Sequence, residues 1–109
     1  MAVGFVGLGI MGASMASNLQ RKVDKLVVHD LVRQAASQHV EAGALWAASP
    51  KELAAQCEVV FLSLPGPAEV EAVVSGPEGL AAGLKRGAVV FDLSTNSPSV
   101  VRALAAKLA

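Results

Sequence analysis

The sequence predicts an α/β fold: a doubly wound parallel sheet, a single layer of about five strands in the order 3-2-1-4-5, with helices on both faces. Three observations carry that expectation. Short apolar runs alternate with helical segments at spacings of roughly 20–30 residues, the rhythm of strand–helix–strand units. Hydrophobic residues make up 53% of the chain but aromatic ones only 4%, so the core must be built from Ala, Val and Leu. Such side chains suit thin helices packed on a buried parallel sheet. The first apolar run also opens directly into a glycine cluster that a helical pattern follows.

Taken in order, Ala2–Val6 is the first strand and leads into Gly7-Leu8-Gly9-Ile10-Met11-Gly12. Met11, Met15 and Leu19, one turn apart, mark a helix over 11–20. Lys25–His29 is the second strand, stopped by Asp30; a helix over 33–41 ends at Gly43, and 44–47 is a brief third strand. Ser49-Pro50 supplies a cap and a first-turn proline to a helix over 51–56. The fourth strand, 59–64, is stopped by Pro65-Gly66-Pro67. Helical pieces over 68–74 and near 80–84 follow, and Gly87 introduces a fifth strand over 88–93. Ser97-Pro98 caps a helix from Ser99 onward whose last residues, Ala105 to Ala109, carry no stop signal, so the chain reads as cut short.

Composition narrows the function classes. Lys plus Arg and Asp plus Glu number nine each, for a net charge of zero, and no basic stripe interleaves with aromatics, so a nucleic-acid partner is not expected. The single cysteine, Cys57, excludes an internal disulfide framework and fits a reducing compartment. Beside Glu58, with no neighbouring cation evident, it is expected to be a buried packing residue and not a nucleophile. The apolar opening lacks a basic lead-in, is broken by glycines and is too short to span a membrane, so no membrane association is expected. These features together predict a soluble cytoplasmic protein, or a mitochondrial matrix one if a transit peptide has been removed. His29 and His39 are expected at the surface and outside catalysis.

The glycine spacing has a chemical reading. In a G-x-G-x-x-G turn between strand and helix, Gly7 allows the tight turn, Gly9 lets the backbone approach a pyrophosphate, and Gly12 lets helix and strand pack closely. The N–H groups of Ile10 and Met11 then face the phosphates from a helix N-terminus, the arrangement of a Rossmann-type dinucleotide-binding domain. Asp30 follows Gly12 by 18 residues at the end of the second strand, where a carboxylate accepts from both adenosine ribose hydroxyls and repels a 2′-phosphate. That favours NAD over NADP. Asp30 could instead cap the next helix, or do both, and Arg33 keeps NADP open because a guanidinium can hold the extra phosphate.

The run from Gly7 to Leu19 (GLGIMGASMASNL) resembles the opening GLGxMGxxMAxNL of the β-hydroxyacid dehydrogenase family at every defined position. Two further blocks agree, Val59 to Pro65 (VVFLSLP) and Asp92 to Pro98 (DLSTNSP), with Arg102 after the second. The resemblance covers the whole chain. It implies that Leu64 and Pro65 line the cofactor crevice, that Glu69 stands where relatives have a cofactor-contacting polar residue, and that Thr95, with Ser94, lies against the nicotinamide and near the substrate. Read from the residues alone, Ser94, Thr95 and Ser97 are capping residues. One departure concerns the end of the first helix: relatives have a glycine there, whereas this chain has Arg21-Lys22-Val23-Asp24-Lys25, so Asp24 is expected to adopt the left-handed conformation.

The resemblance also implies segments that these residues do not supply. The family adds a glycine-rich substrate loop and a catalytic lysine on a helix of a second, all-helical domain. Lys22, Lys25, Lys51, Lys85 and Lys107 match no catalytic motif, so no catalytic residue is assigned in this chain. The expectation is therefore a dinucleotide-binding domain over 1–109, without its helical catalytic domain, from an NAD-dependent enzyme. That enzyme moves a hydride between the cofactor and a small 3-hydroxy acid of the 3-hydroxyisobutyrate kind. Hydroxyisobutyrate, glycerate and threonate remain equally open. Two alternatives stand beside this one: a non-catalytic dinucleotide-binding module, and a fragment of an NADP enzyme of the imine-reductase or 6-phosphogluconate dehydrogenase branch, the latter disfavoured by glycine at position 9. A homo-oligomer is expected, because a domain parted from its partner exposes the surface where that partner docked.

Overall fold

Residues 2–64 and 67–93 are described by a computed structural model of the chain. β1 (Ala2–Val6), β2 (Lys25–His29), β3 (Leu45–Trp46), β4 (Val59–Leu62) and β5 (Val89–Asp92) form one sheet in the order β3-β2-β1-β4-β5. Every pairing is parallel, and the order is the one the sequence predicts. The register sets Val6 beside His29 and Leu62, and Leu62 beside Asp92, so four strands finish level at their carboxyl ends. The helix expected from Ser99 lies outside the described residues.

Side chains alternate between the two faces with the two-residue period of a strand. Val3, Phe5, Leu26 and Val28 face one way, against α1 (Ile10–Gln20) and the 3-10 turn (Arg33–Ala36) that leads into α2 (Ser37–Glu41), where Ala16 and Ala36 leave room for close approach. Val6, Val27, Val60, Leu62 and Val90 face the other way, against α3 (Pro50–Gln56), α4 (Pro67–Ser75) and α5 (Leu80–Gly83). Leu53, Leu62 and Leu80 are completely buried there, each contributing roughly 1.5–3 kcal/mol by area. Among the described residues the first face is open at one side: the stacked rings of Phe5, Phe61 and Phe91 run outward from β1, with centroids 6.2 and 5.3 Å apart. At the end of that row Val89 and Phe91 keep 40% and 43% of their surface exposed.

Local chemistry explains most element boundaries. Ser49 Oγ accepts the Glu52 N–H at 3.2 Å, Glu52 Oε2 accepts the Ala48 N–H at 3.1 Å, and Pro50 occupies the first turn, so α3 starts where a cap and a proline specify it. β4 is shorter than expected because its pairing to β1 ends with Val6, and 44–47 contributes only Leu45 and Trp46 to the ladder. The helix expected over 33–41 is a 3-10 turn (Arg33–Ala36) followed by α2, without a side-chain cap at either start, and Gly43 (φ 111°) closes it as expected.

Two expectations are corrected. α1 ends at Arg21 in ordinary right-handed geometry (φ −75°, ψ −17°), and among the described residues only glycines have positive φ, so Asp24 is not left-handed. Leu19 O instead accepts the N–H groups of both Lys22 and Val23, at 2.8 and 3.0 Å, and that shared acceptor turns the chain. His29 and His39 are buried, not superficial. His29 Nδ1 donates to Ala47 O at 2.8 Å, and its ring lies against Trp46. His39 Nε2 donates to Ala13 O at 3.1 Å and lies 3.3 Å from Ser17 Oγ, tying α2 to α1. The carbonyl can only accept, so Nε2 carries a proton, and the buried Nδ1 has no hydrogen-bond partner among the described residues.

Candidate cofactor-binding site

The level carboxyl ends of β1, β2, β4 and β5 border one cleft of about 820 Å³. Six residues singled out in the sequence meet there: Gly7, Gly9, Gly12, Asp30, Leu64 and Glu69. Ile10 and Met11 supply the first two backbone units of α1, directly behind Gly9. Pro65, Ser94 and Thr95, together with Ser97 and Arg102, lie outside the described residues.

The three glycines have different causes. Gly7 stands at φ 97°, and a Cβ there would strike the Ser63 carbonyl oxygen. At Gly12 a Cβ would strike the Gly7 carbonyl oxygen, so this residue lets α1 approach the turn it leaves. Gly9 answers to neither constraint. Its φ is −66°, open to any residue, and a Cβ there would meet nothing within 4 Å. Gly9 is itself part of the cleft lining. As the cap residue it also offers no side chain to take up the first amides of α1. The intrahelical ladder starts with Ala13 N–H to Gly9 O at 2.7 Å, so the amides of Ile10, Met11 and Gly12 precede it at the positive end of the helix.

Asp30 sits at the end of β2 with both oxygens engaged by backbone. Oδ2 accepts the Leu8 N–H at 2.7 Å and Oδ1 the Val32 N–H at 2.9 Å. The second bond closes a two-residue turn and does not cap a helix, since Val32 takes the cap position of the 3-10 turn. Each carboxylate oxygen has two acceptor sites, so capacity remains on the cleft side.

The far wall is what sequence reasoning missed. Leu31 and Val32, beside Asp30, and Val73 and Glu78, from α4 and the loop after it, also line the cleft. A bond from Lys51 N–H to Glu78 O, at 2.8 Å, draws the loop between α4 and α5 to the start of α3. The available signal was Leu31, an apolar residue directly after the acid and 95% exposed. The described lining carries three carboxylates, on Asp30, Glu69 and Glu78, and no Lys or Arg. Arg33 is not part of it: its guanidinium lies 5.8 Å from the centre of the Trp46 ring.

Other chemistry finds little support. Burial, and then the charge of Glu58, push the Cys57 thiol up to about 11 against the opposing pull of Lys25 and Lys85, so it is a packing residue as expected. Lys85 lies at the opposite edge of the sheet, 3.4 Å from Glu58. Among the described residues there is no group of three or more His, Cys, Asp or Glu able to hold a metal, and no helix is long and apolar enough to cross a membrane.

Residues 2–109 match the family model described as the NAD binding domain of 6-phosphogluconate dehydrogenase. The chain is 37% identical over 103 residues to the mitochondrial 3-hydroxyisobutyrate dehydrogenase of Mus musculus, covering 94% of this chain and 31% of that protein. Among solved structures it is similar to Psf3 in complex with NADP+ and 2-OPP, at 34% identity and a TM-score of 0.84, over 95% of this chain and 37% of that one. It is similar also to the Streptomyces aurantiacus imine reductase, at 30% identity and a TM-score of 0.78, over 99% of this chain and 37% of that one. The chain thus spans about a third of the length of these relatives. With the glycine turn, the strand order and these likenesses in agreement, the chain belongs to this NAD-binding domain family and corresponds to the N-terminal NAD-binding domain of the β-hydroxyacid dehydrogenases.

Proposed function

We propose that this chain holds NAD in the cleft for an oxidoreductase that passes a hydride between the nicotinamide and a small 3-hydroxy acid. The observation that carries the reading is Gly9. Neither its dihedral angles nor its surroundings require glycine, so the missing side chain is accounted for by a group outside the chain that must approach the backbone there. In this reading the amides of Ile10, Met11 and Gly12 receive the pyrophosphate, Asp30 the adenosine ribose, and Leu31, Val32 and Val73 flank the adenine ring. Glu69 and Leu64 border the path toward the nicotinamide, and the family resemblance alone assigns Pro65 to the same crevice and Ser94 and Thr95 to the nicotinamide and substrate. NAD supplies the hydride acceptor. The proton of the substrate hydroxyl needs a base, and no residue of this chain is assigned to that task. Residues 1–109 are accordingly the dinucleotide-binding domain.

The cofactor preference follows from charge. A 2′-phosphate would bring close to two negative charges into a lining that holds three carboxylates and no described cation. NAD is therefore preferred here, although relatives include a protein solved with NADP+. Titration of NADH and NADPH, followed by Trp46 fluorescence or calorimetry, tests this directly. NADH should bind about tenfold or more tighter, a difference of roughly 1.4 kcal/mol or more. Equal or tighter NADPH binding overturns the NAD assignment and favours the imine-reductase branch, to which the likeness at 30% identity also points.

Self-association and a cytoplasmic or mitochondrial-matrix setting belong to the same proposal. The exposed Val89 and Phe91 at the open side of the sheet support association. Sedimentation should show species heavier than the monomer as concentration rises, and a strictly monomeric profile overturns that part.

A further inference from the structure

We infer that Asp30 is a positioning residue for the phosphate turn as well as a ribose acceptor, so that one carboxylate couples cofactor choice to the integrity of the turn. This rests on the NAD reading above for its functional consequence, but its structural half stands on the geometry alone. Leu8 lies between Gly7 and Gly9, inside the turn, and its side chain is buried against the α1 side of the sheet. Its N–H points to Asp30 Oδ2 at 2.7 Å, across 22 residues of sequence. The other oxygen, Oδ1, holds the Val32 N–H at 2.9 Å and so fixes the loop that leaves β2. A second link, Gly7 N–H to His29 O at 3.0 Å, carries no side chain and cannot be altered by a change at position 30. The turn that aims the first amides of α1 is therefore tied to the β2 end by two bonds, and only one depends on a side chain.

The usual logic of relaxing an acid to admit a 2′-phosphate then fails here. Asn at position 30 keeps the shape but has one acceptor oxygen. Its amide group would present N–H to whichever of Leu8 and Val32 the oxygen leaves out. Ala leaves both without their partner. Removing the charge lowers the repulsion of NADP, yet it also loosens the turn that must hold the pyrophosphate of either cofactor.

The test uses the 109-residue chain, isotope-labelled, in wild-type form and as Asp30→Asn and Asp30→Ala. Amide hydrogen exchange is read without cofactor, with the Ser63 amide, bonded to Val6 O at 2.9 Å, as the internal control. In Asp30→Ala the Leu8 amide should exchange about tenfold or more faster while Ser63 is unchanged. Affinity for NADH and for NADPH should both fall, and Asp30→Asn should behave likewise to a smaller degree. Unchanged Leu8 protection overturns the inference, and so does a variant that gains NADPH affinity as it loses NADH. Should Asp30→Ala unfold, Asp30→Asn gives the same two readouts. Faster Leu8 exchange in a chain whose wild-type form binds neither cofactor would confirm the positioning role and overturn the NAD reading instead.

Discussion

β1 is held at each end by a carboxylate that flanks a neighbouring strand, Glu58 just before β4 and Asp30 just after β2, and the two clamps differ in one respect. At the start of the strand Glu58 Oε2 accepts the Ala2 N–H at 2.8 Å; just past its end Asp30 Oδ2 accepts the Leu8 N–H at 2.7 Å. The geometry is nearly the same. Glu58, however, also has Lys85 at 3.4 Å, whereas Asp30 borders a cleft whose described lining has no cation. The charge of Glu58 is balanced within the chain. That of Asp30 has no cation beside it among the described lining of the cleft, and this difference sets the end of the sheet where a ligand is proposed apart from the other.

Glycines sharpen the contrast. At the cleft end, Gly12→Ala places a Cβ on the Gly7 carbonyl oxygen, a backbone atom that cannot step aside. The expected result is a loss of about 1–3 kcal/mol in stability together with loss of measurable NADH binding. Gly4→Ala, inside β1, pushes into the Leu53 side chain and the Cys57 sulfur, and should cost a similar amount in stability. Affinity of its folded fraction should be unchanged. Gly9→Ala should do the reverse, keeping the melting temperature while weakening NADH. Chemical unfolding paired with calorimetry reads all three, and a Gly9→Ala chain that binds normally would remove the main support for the proposed site.

The same division shows what was legible in advance. β1 and β2 were readable to the residue because strand, glycine turn and terminal acid are adjacent in sequence and each has its own chemical signature. The α3 start was equally plain from Ser49 and Pro50. What failed depends on contacts between distant residues. Burial of His39 comes from its bonds to Ala13 and Ser17 on another helix, and nothing around it in sequence announces them. Glu78 enters the cleft only because its carbonyl meets Lys51 at the head of α3. The end of α1 departs from expectation for a different reason. Absence of glycine does not require another left-handed residue, because a shared acceptor at Leu19 turns the chain with ordinary angles.

The smallest expected effect tests whether the Glu58 clamp is purely structural. The Ala2 N–H, with Lys85 adding to it, holds the Glu58 carboxyl below its ordinary value of 4.5. A carboxyl depressed in the folded chain contributes stability that is fully present above its unfolded value and is lost as pH falls through the folded one. Wild type should therefore melt slightly above Glu58→Gln near neutrality, by about 1–2 °C for so exposed a pair, with the gap closing on acidification below the ordinary value. Glutamine keeps an oxygen for Ala2, so this comparison isolates the charge. NADH affinity should stay within about twofold of wild type, a difference well under 1 kcal/mol, because Glu58 lies at the edge of the sheet opposite the cleft. A gap that widens in acid would reverse the sign of the clamp, and a large loss of NADH affinity would mean that the two ends of β1 are coupled and not independent.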